Sequence, residues 1–282
     1  MYAVITLTLQ NTSRLPSYRF AISAGIVAAF IGVTVAIALS STETRVLVQN
    51  ITIICTAGAA FAFSLLVLVS SDTKYRRIFS MFVLGLGLWF VAEVVWTYYV
   101  QVLDVEVPFP SFADFFYFGG YLFVGIFLIK IVRMLAHLNQ RSILVISTVS
   151  ISLVAFLMNF FILDLVRASF TVTSMSSDEV TLLAFSVAYP ILDSFLIIPA
   201  LIILYESRNR QGQYFSWILL ALAMISFGAG DTGFGYMALK DVSVLADEAL
   251  WDIIFNLGYI LFAGALLYEL ARSRKEKDVL KK

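Results

Sequence analysis

The chain has 282 residues, of which 61% are hydrophobic and only 13% charged, with a mean hydropathy of +0.93. A soluble domain carries about 25% charged residues, so this composition cannot clothe a surface that faces water. Nineteen basic residues balance nineteen acidic ones, leaving no basic field for a nucleic acid, and a single cysteine, Cys55, excludes an internal disulfide.

Residues 1–17 lack the basic leader and apolar run of a cleavable signal, and Arg14 and Arg19 read as anchors for the first membrane span. About 20 helical residues cross the hydrocarbon layer. Apolar runs of that order lie near 18–40, 46–70, 78–101, 111–134, 142–166, 180–204, 213–238 and 248–271. The expected fold is therefore all-α, a polytopic integral membrane protein with eight transmembrane helices. Cys55 falls in the second run and reads as a small core residue. The sequons at Asn11 and Asn50 would lie inside the cell and within the membrane, so both read as accidental. The tail, SRKEKDVLKK, is too short for a domain and reads as a basic segment resting on anionic headgroups.

Basic residues sort by connection. Arg14 and Arg19 flank the first span, and Lys74, Arg76 and Arg77 fill the second connection. Lys130, Arg133 and Arg141 mark the fourth, Arg208 and Arg210 the sixth, and Arg272, Arg274, Lys275 and Lys277 open the tail. The other connections hold only Arg45, Arg167 and Lys240. By the positive-inside rule both termini are cytoplasmic, in a multi-pass protein of the cell membrane.

An acidic, aromatic pattern occurs twice at an offset of 138 residues: Glu93 precedes Asp114 by 21 positions, and Asp231 precedes Asp252 by 21. The same offset pairs Tyr98 with Tyr236, Gly120 with Gly258, Tyr121 with Tyr259 and Leu128 with Leu266. An internal duplication follows, dividing the chain into four-helix repeats at 1–140 and 141–282. Each unit has an even number of spans, so the two enter the bilayer in parallel orientation about an axis along its normal. Spans three and four match seven and eight well, whereas one and two match five and six poorly.

Carboxylates in mid-bilayer normally face a partner, a cavity or a pathway. Glu93 and Asp231 lie about two turns below the outer ends of their helices, Asp114 and Asp252 in the first turns of the helices that return, and Asp193 deeper in span six. All five are expected to converge on a cavity in the outer half of the membrane, lined by Trp96, Tyr98, Tyr121, Tyr236 and Tyr259. Each has a plainer reading beside it. Ser111 and Asp114 fit a capping box, which Ala249 denies to Asp252. Glu93 and Asp231 suit protonated hydrogen-bond donors, Pro190 and Pro199 a kinked span, and the aromatic residues an interfacial belt. Gly228, Gly230, Gly233 and Gly235 suit close helix packing.

The only histidine, His137, sits in a basic loop, which excludes bis-histidine haem, histidine-rich zinc sites and a serine hydrolase triad. No glycine-rich phosphate loop is present, and nothing in the chain asks for a cofactor or a metal.

The segments PFPSFADFFYFGGYLFVG, AYPILDSFLII and DEALWDIIFNLGYILFAG resemble the multi-span membrane region at the N-terminus of many bacterial GGDEF and EAL signalling proteins. The matched positions are Pro110, Ser111, Asp114, Tyr121, Tyr189, Pro190, Asp193, Asp252, Gly258 and Tyr259, in spans three to eight. The resemblance implies a sensor or localisation module, hence reception rather than catalysis. This chain departs from the pattern by ending about ten residues after its last span without an output domain, so a signal is expected to pass to a separate membrane partner. Beyond the lipid bilayer, the partners left open are that protein and a small ligand or cation on the outer side. Three other readings compete: a transporter of protons or a small cation, a lipid-active enzyme loosely similar to the eight-span lysoplasmalogenases, and a structural subunit of a membrane complex. The transporter needs a polar path inward, and the inner halves of the spans offer little beyond Lys130.

Overall fold

In hydrocarbon every backbone N–H and C=O must find its partner within the chain, and the helix is the form that achieves this locally. The computed structural model accordingly contains helices and no strand among its described residues, which are 15–71, 73–105, 107–108, 110–135, 177–207, 214–240 and 245–280, with positions 144, 147, 148 and 152. The helices are α1 (Leu15–Leu39), α2 (Arg45–Ser70), α3 (Thr73–Gln101), α4 (Phe112–Leu135), α5 (Ser177–Ser207), α6 (Tyr214–Lys240) and α7 (Leu245–Leu280). All seven are long and apolar enough to cross a membrane, so the chain is a polytopic helical membrane protein. The run expected at 142–166 lies outside the described residues.

Polar side chains within the spans serve backbone carbonyls one turn back rather than lipid. Thr56 Oγ1 donates to the Thr52 carbonyl at 3.0 Å and Ser64 Oγ to that of Phe61 at 2.6 Å. Serine plays the same part beside the first proline of α5, where Ser194 Oγ donates to the Pro190 carbonyl at 2.8 Å. The last helix, of 36 residues, extends about 54 Å, well beyond a hydrocarbon layer of about 30 Å. It carries the basic tail onward as helix through Leu280.

Ring and side-chain contacts fix the directions of the helices. Trp89 packs on Phe227 and Trp96 on Phe234, so α3 and α6 run the same way. Phe61 meets Phe90 and Asn50 meets Thr97, Phe82 meets Phe127 and Trp89 meets Tyr121, and Phe227 meets Phe255 and Gly233 meets Trp251, so α2 with α3, α3 with α4 and α6 with α7 are antiparallel pairs. Asp193 and Ile197 both border Gly228, and a short connection joins α5 to α6 as an antiparallel hairpin. It follows that α4 and α5, although consecutive among the described helices, run in the same direction. α7 lies beside α2 in the same sense, with Gln49 meeting Asp252 and Thr56 meeting Asn256.

The centre of the bundle is aromatic and dry. Phe82 touches Phe127 with ring centroids 4.8 Å apart and Phe262 at 5.6 Å, and Trp89 and Phe227 close over them at 5.1 Å. Gly120 and Gly258 admit the two upper rings: a Cβ on Gly120 would stand 2.2 Å from the Trp89 indole, and one on Gly258 would stand 2.7 Å from the Phe227 ring. The face of α2 opposite Ile53 and Ala57 is exposed, and Cys55 stands on it, not in the core as expected. Lipid accepts apolar residues as readily as the interior does, so an apolar neighbourhood does not imply burial here. α1 lies at the edge, where Ile22 and Ile26 meet Gly264 of α7.

The two ends of the bundle differ in charge. Arg19, Arg76, Arg77, Arg133, Arg272 and Arg274 gather where α1 and α3 begin and α4 and α7 end. At that end Arg19 donates from Nε to the Tyr268 hydroxyl at 3.2 Å and lies 5.9 Å from the ring centroids of Phe215 and Tyr268. The opposite end, where α2, α4 and α7 begin, holds the cavity.

Candidate functional site: an acidic, aromatic cavity

A cavity of about 510 Å³ occupies the end of the bundle opposite the arginines. Its floor comes from two helices with the same register. On α3, Trp89, Glu93 and Trp96 fall on one face, and on α6, Phe227, Asp231 and Phe234 do the same. An acid with aromatics four residues before and three after keeps all three side chains within a narrow stripe of a 3.6-residue helix. The stripes close across the cavity through the contacts of Trp89 with Phe227 and of Trp96 with Phe234, the latter at 5.9 Å between centroids.

Each floor acid is held by a tyrosine from a returning helix. Tyr259 of α7 donates its hydroxyl to Glu93 Oε1 at 2.8 Å. Tyr121 of α4 donates to Asp231 Oδ2 and lies 2.6 Å from Asp193 Oδ1. A phenol has one hydrogen, so it can serve only one of these two carboxyl groups at a time. Asp193 is 3% exposed, stands behind the cavity wall rather than on it, and leaves Oδ2 without a hydrogen-bond partner. Of the five acids expected to share the cavity, Asp193 alone does not line it; it reaches the lining through Tyr121 and Asp231.

The upper acids are anchored differently. Asp114 closes a capping box at the start of α4: its Oδ2 accepts from the Ser111 amide at 2.5 Å and from Ser111 Oγ at 2.9 Å, while Ser111 Oγ accepts from the Ala113 amide at 3.2 Å. Tyr189 of α5 donates to its other oxygen. Asp252 Oδ2 accepts from Gln49 Nε2 of α2 at 2.7 Å. Its own carbonyl receives Asn256 Nδ2 at 2.9 Å, and Thr56 Oγ1 donates to Asn256 Oδ1 at 2.7 Å. Asp104, the one non-glycine residue with positive φ (52°) among the described residues, stands exposed at the rim.

Of the residues expected at the site, Glu93, Asp114, Asp231, Asp252, Trp96, Tyr121 and Tyr259 line the cavity. Tyr98 does not; it is half exposed on the outside of α3. Five residues from Glu93 turn it by about 140° on the helix, away from the acid's face. The side chain of Tyr236 lies outside the described residues. Reasoning from the acids alone overlooked Gln49, Trp89, Tyr117 and Phe227. The last three carry a signal in their spacing, at three or four residues from Asp114, Glu93 or Asp231.

Among the described residues none that lines the cavity is basic, and no three of His, Cys, Asp and Glu gather to hold a metal ion. The wall thus combines negative or hydrogen-bonding groups with ring faces. No protein-family model matches the sequence, and no curated protein or solved structure shows significant similarity to it.

Proposed function

We propose that the protein is an eight-span receptor of the cell membrane that binds a small ligand in the outer half of the bilayer and signals to a separate membrane partner. The cavity of about 510 Å³, walled by carboxyl groups and aromatic rings, carries this reading, since small-molecule sites have this size and this mixture of apolar wall with a few placed polar groups. The arginines at the opposite end favour an orientation with the termini inside and the cavity outside. An eighth crossing is favoured by the shared direction of α4 and α5, because a chain leaving one face at Leu135 and re-entering from the other at Ser177 has to pass between them. A duplicated architecture is favoured by the paired bonds from Tyr259 to Glu93 and from Tyr121 to Asp231, whose members are 138 residues apart on both sides. The likeness to the membrane region of GGDEF and EAL proteins agrees with a sensory role.

The dry stack of Phe82, Phe127 and Phe262 beneath the floor favours reception over transport, because an ion cannot cross such a layer without ligands. The test uses protein purified from native membranes. A small molecule should co-purify with the wild type and be lost from Asn50→Trp, which fills the cavity from α2, and proteoliposomes should bind it without accumulating it. Accumulation against a gradient would make the protein a transporter. Equal recovery from wild type and the filled variant would remove the cavity from any binding role.

A further inference from the structure

The chemistry of the cavity narrows the ligand, granted the reading of it as a binding site. An anion would face Glu93, Asp114, Asp231 and Asp252 with no basic residue among the described residues of the wall. A bare metal ion would find no cluster of three ligands among the described residues. A neutral molecule would bring no counter-charge to the four carboxyl groups, which are hydrogen-bonded to neutral donors. Beside Asp231 the carboxyl group of Asp193 lies within hydrogen-bond reach, and the two face the single hydrogen of Tyr121, so one proton and one phenol serve a pair of adjoining acids. A group that brings both positive charge and N–H donors meets these conditions together.

The rings add a second requirement. Trp89 and Phe227 lie one turn to the inner side of the floor acids, and Trp96 and Phe234 one turn to the outer side. A cation between two aromatic pairs gains from ring faces as well as from carboxylates, and gains most where water is excluded. The volume of about 510 Å³ leaves room for an organic body beyond the charged head. We propose that the cavity binds a primary organic ammonium ion, with its nitrogen between Glu93 and Asp231 and its carbon skeleton against the aromatic pairs.

Three probes of nearly one shape test the charge: phenethylamine, which is a cation at neutral pH, 2-phenylethanol, which is neutral, and phenylacetate, an anion. With the full chain in nanodiscs, the amine should bind at least about tenfold more tightly than the alcohol, and phenylacetate should not bind measurably. Glu93→Gln with Asp231→Asn should abolish the preference for the amine while keeping the melting temperature. Partition into the lipid would be indifferent to these substitutions, so an unchanged preference overturns the proposal. Should the double variant fail to fold, Trp96→Leu, which keeps both acids, should weaken the amine more than the alcohol; an equal loss for both overturns the aromatic contribution and with it the proposal. If the alcohol or phenylacetate binds as well as the amine, the ammonium class falls and the receptor reading stands. If no probe binds and no small molecule co-purifies, both fall.

Discussion

Tyr259 donates its hydroxyl to Glu93 at 2.8 Å across a separation of 166 residues, tying the last helix to the third at the floor of the cavity. The corresponding bond on the other side, from Tyr121 to Asp231, is shared with Asp193. One phenol therefore faces one acid on the first side and two on the second. This difference distinguishes two tyrosines that the 138-residue offset makes equivalent.

Removing each phenol should expose the difference. Tyr259→Phe keeps the ring against Phe227, at 4.8 Å between centroids, and takes one donor from a buried carboxyl group. The expected loss of stability is about 1–3 kcal/mol. Tyr121→Phe removes a hydroxyl that donates to one acid and whose oxygen can accept from the other when that one is protonated, and should cost about 1 kcal/mol more. Denaturation of both variants in detergent gives the comparison, and a larger loss for Tyr259→Phe would contradict the sharing.

Glycine at 120 and 258 should matter in a fixed order. A Cβ at position 120 would stand 2.2 Å from Trp89, whose indole N–H donates to the Tyr117 carbonyl at 3.1 Å, so the ring cannot shift without breaking that bond. At position 258 the nearest atom is 2.7 Å away on Phe227, which has no polar tie. Gly120→Ala should destabilise by about 1–3 kcal/mol and Gly258→Ala by less. Trp89→Phe should relieve part of the first loss, and the reverse order in melting temperatures would place the constraint elsewhere.

Much of this architecture was legible in the chain because hydrocarbon imposes a length on each span, and seven of the apolar runs each coincide with a described helix, the last of which continues to Leu280, past the run at 248–271. The facing of side chains was less legible. Nearness to Glu93 along the chain suggests Tyr98 for the site, whereas about 100° per residue places it away from Glu93 and selects Trp89 instead. Asp193 was placed by depth, and depth along a helix says nothing of its direction in the plane. Gln49 escaped because its significance rests on Asp252, 203 residues away, and long-range pairing leaves no local periodicity. Cys55 was misplaced because an apolar run in a membrane has no built-in inside.

Topology follows from helix direction and can be measured. In a Cys55→Ala background, cysteines at Glu43 and Asp104, both exposed at the cavity end, should react with an impermeant thiol reagent outside intact cells. Cysteines at Arg76 and Arg133, exposed at the arginine end, should react only after lysis. The parallel course of α4 and α5 adds that Ser177→Cys should label with the first group although Arg133→Cys labels with the second. Labelling of Arg133→Cys and Ser177→Cys from the same side would deny a crossing between them.

The cap at α4 separates the two upper acids. Asp114 accepts from the Ser111 amide and hydroxyl and from Tyr189, at a helix N-terminus where negative charge is favoured. Asp114→Asn weakens charge-assisted bonds there and should lower stability by about 1 kcal/mol, as should Ser111→Ala, which takes the acceptor from the Ala113 amide. At Asp252 one partner is Gln49 Nε2 and Ala249 offers no cap, so Asp252→Asn, which keeps an acceptor for that amide, should cost less than Asp114→Asn. Chemical denaturation of the three variants beside the wild type decides the matter. Equal losses at Asp114 and Asp252 would put both acids in one structural role and undo the distinction between a helix cap and a cavity wall.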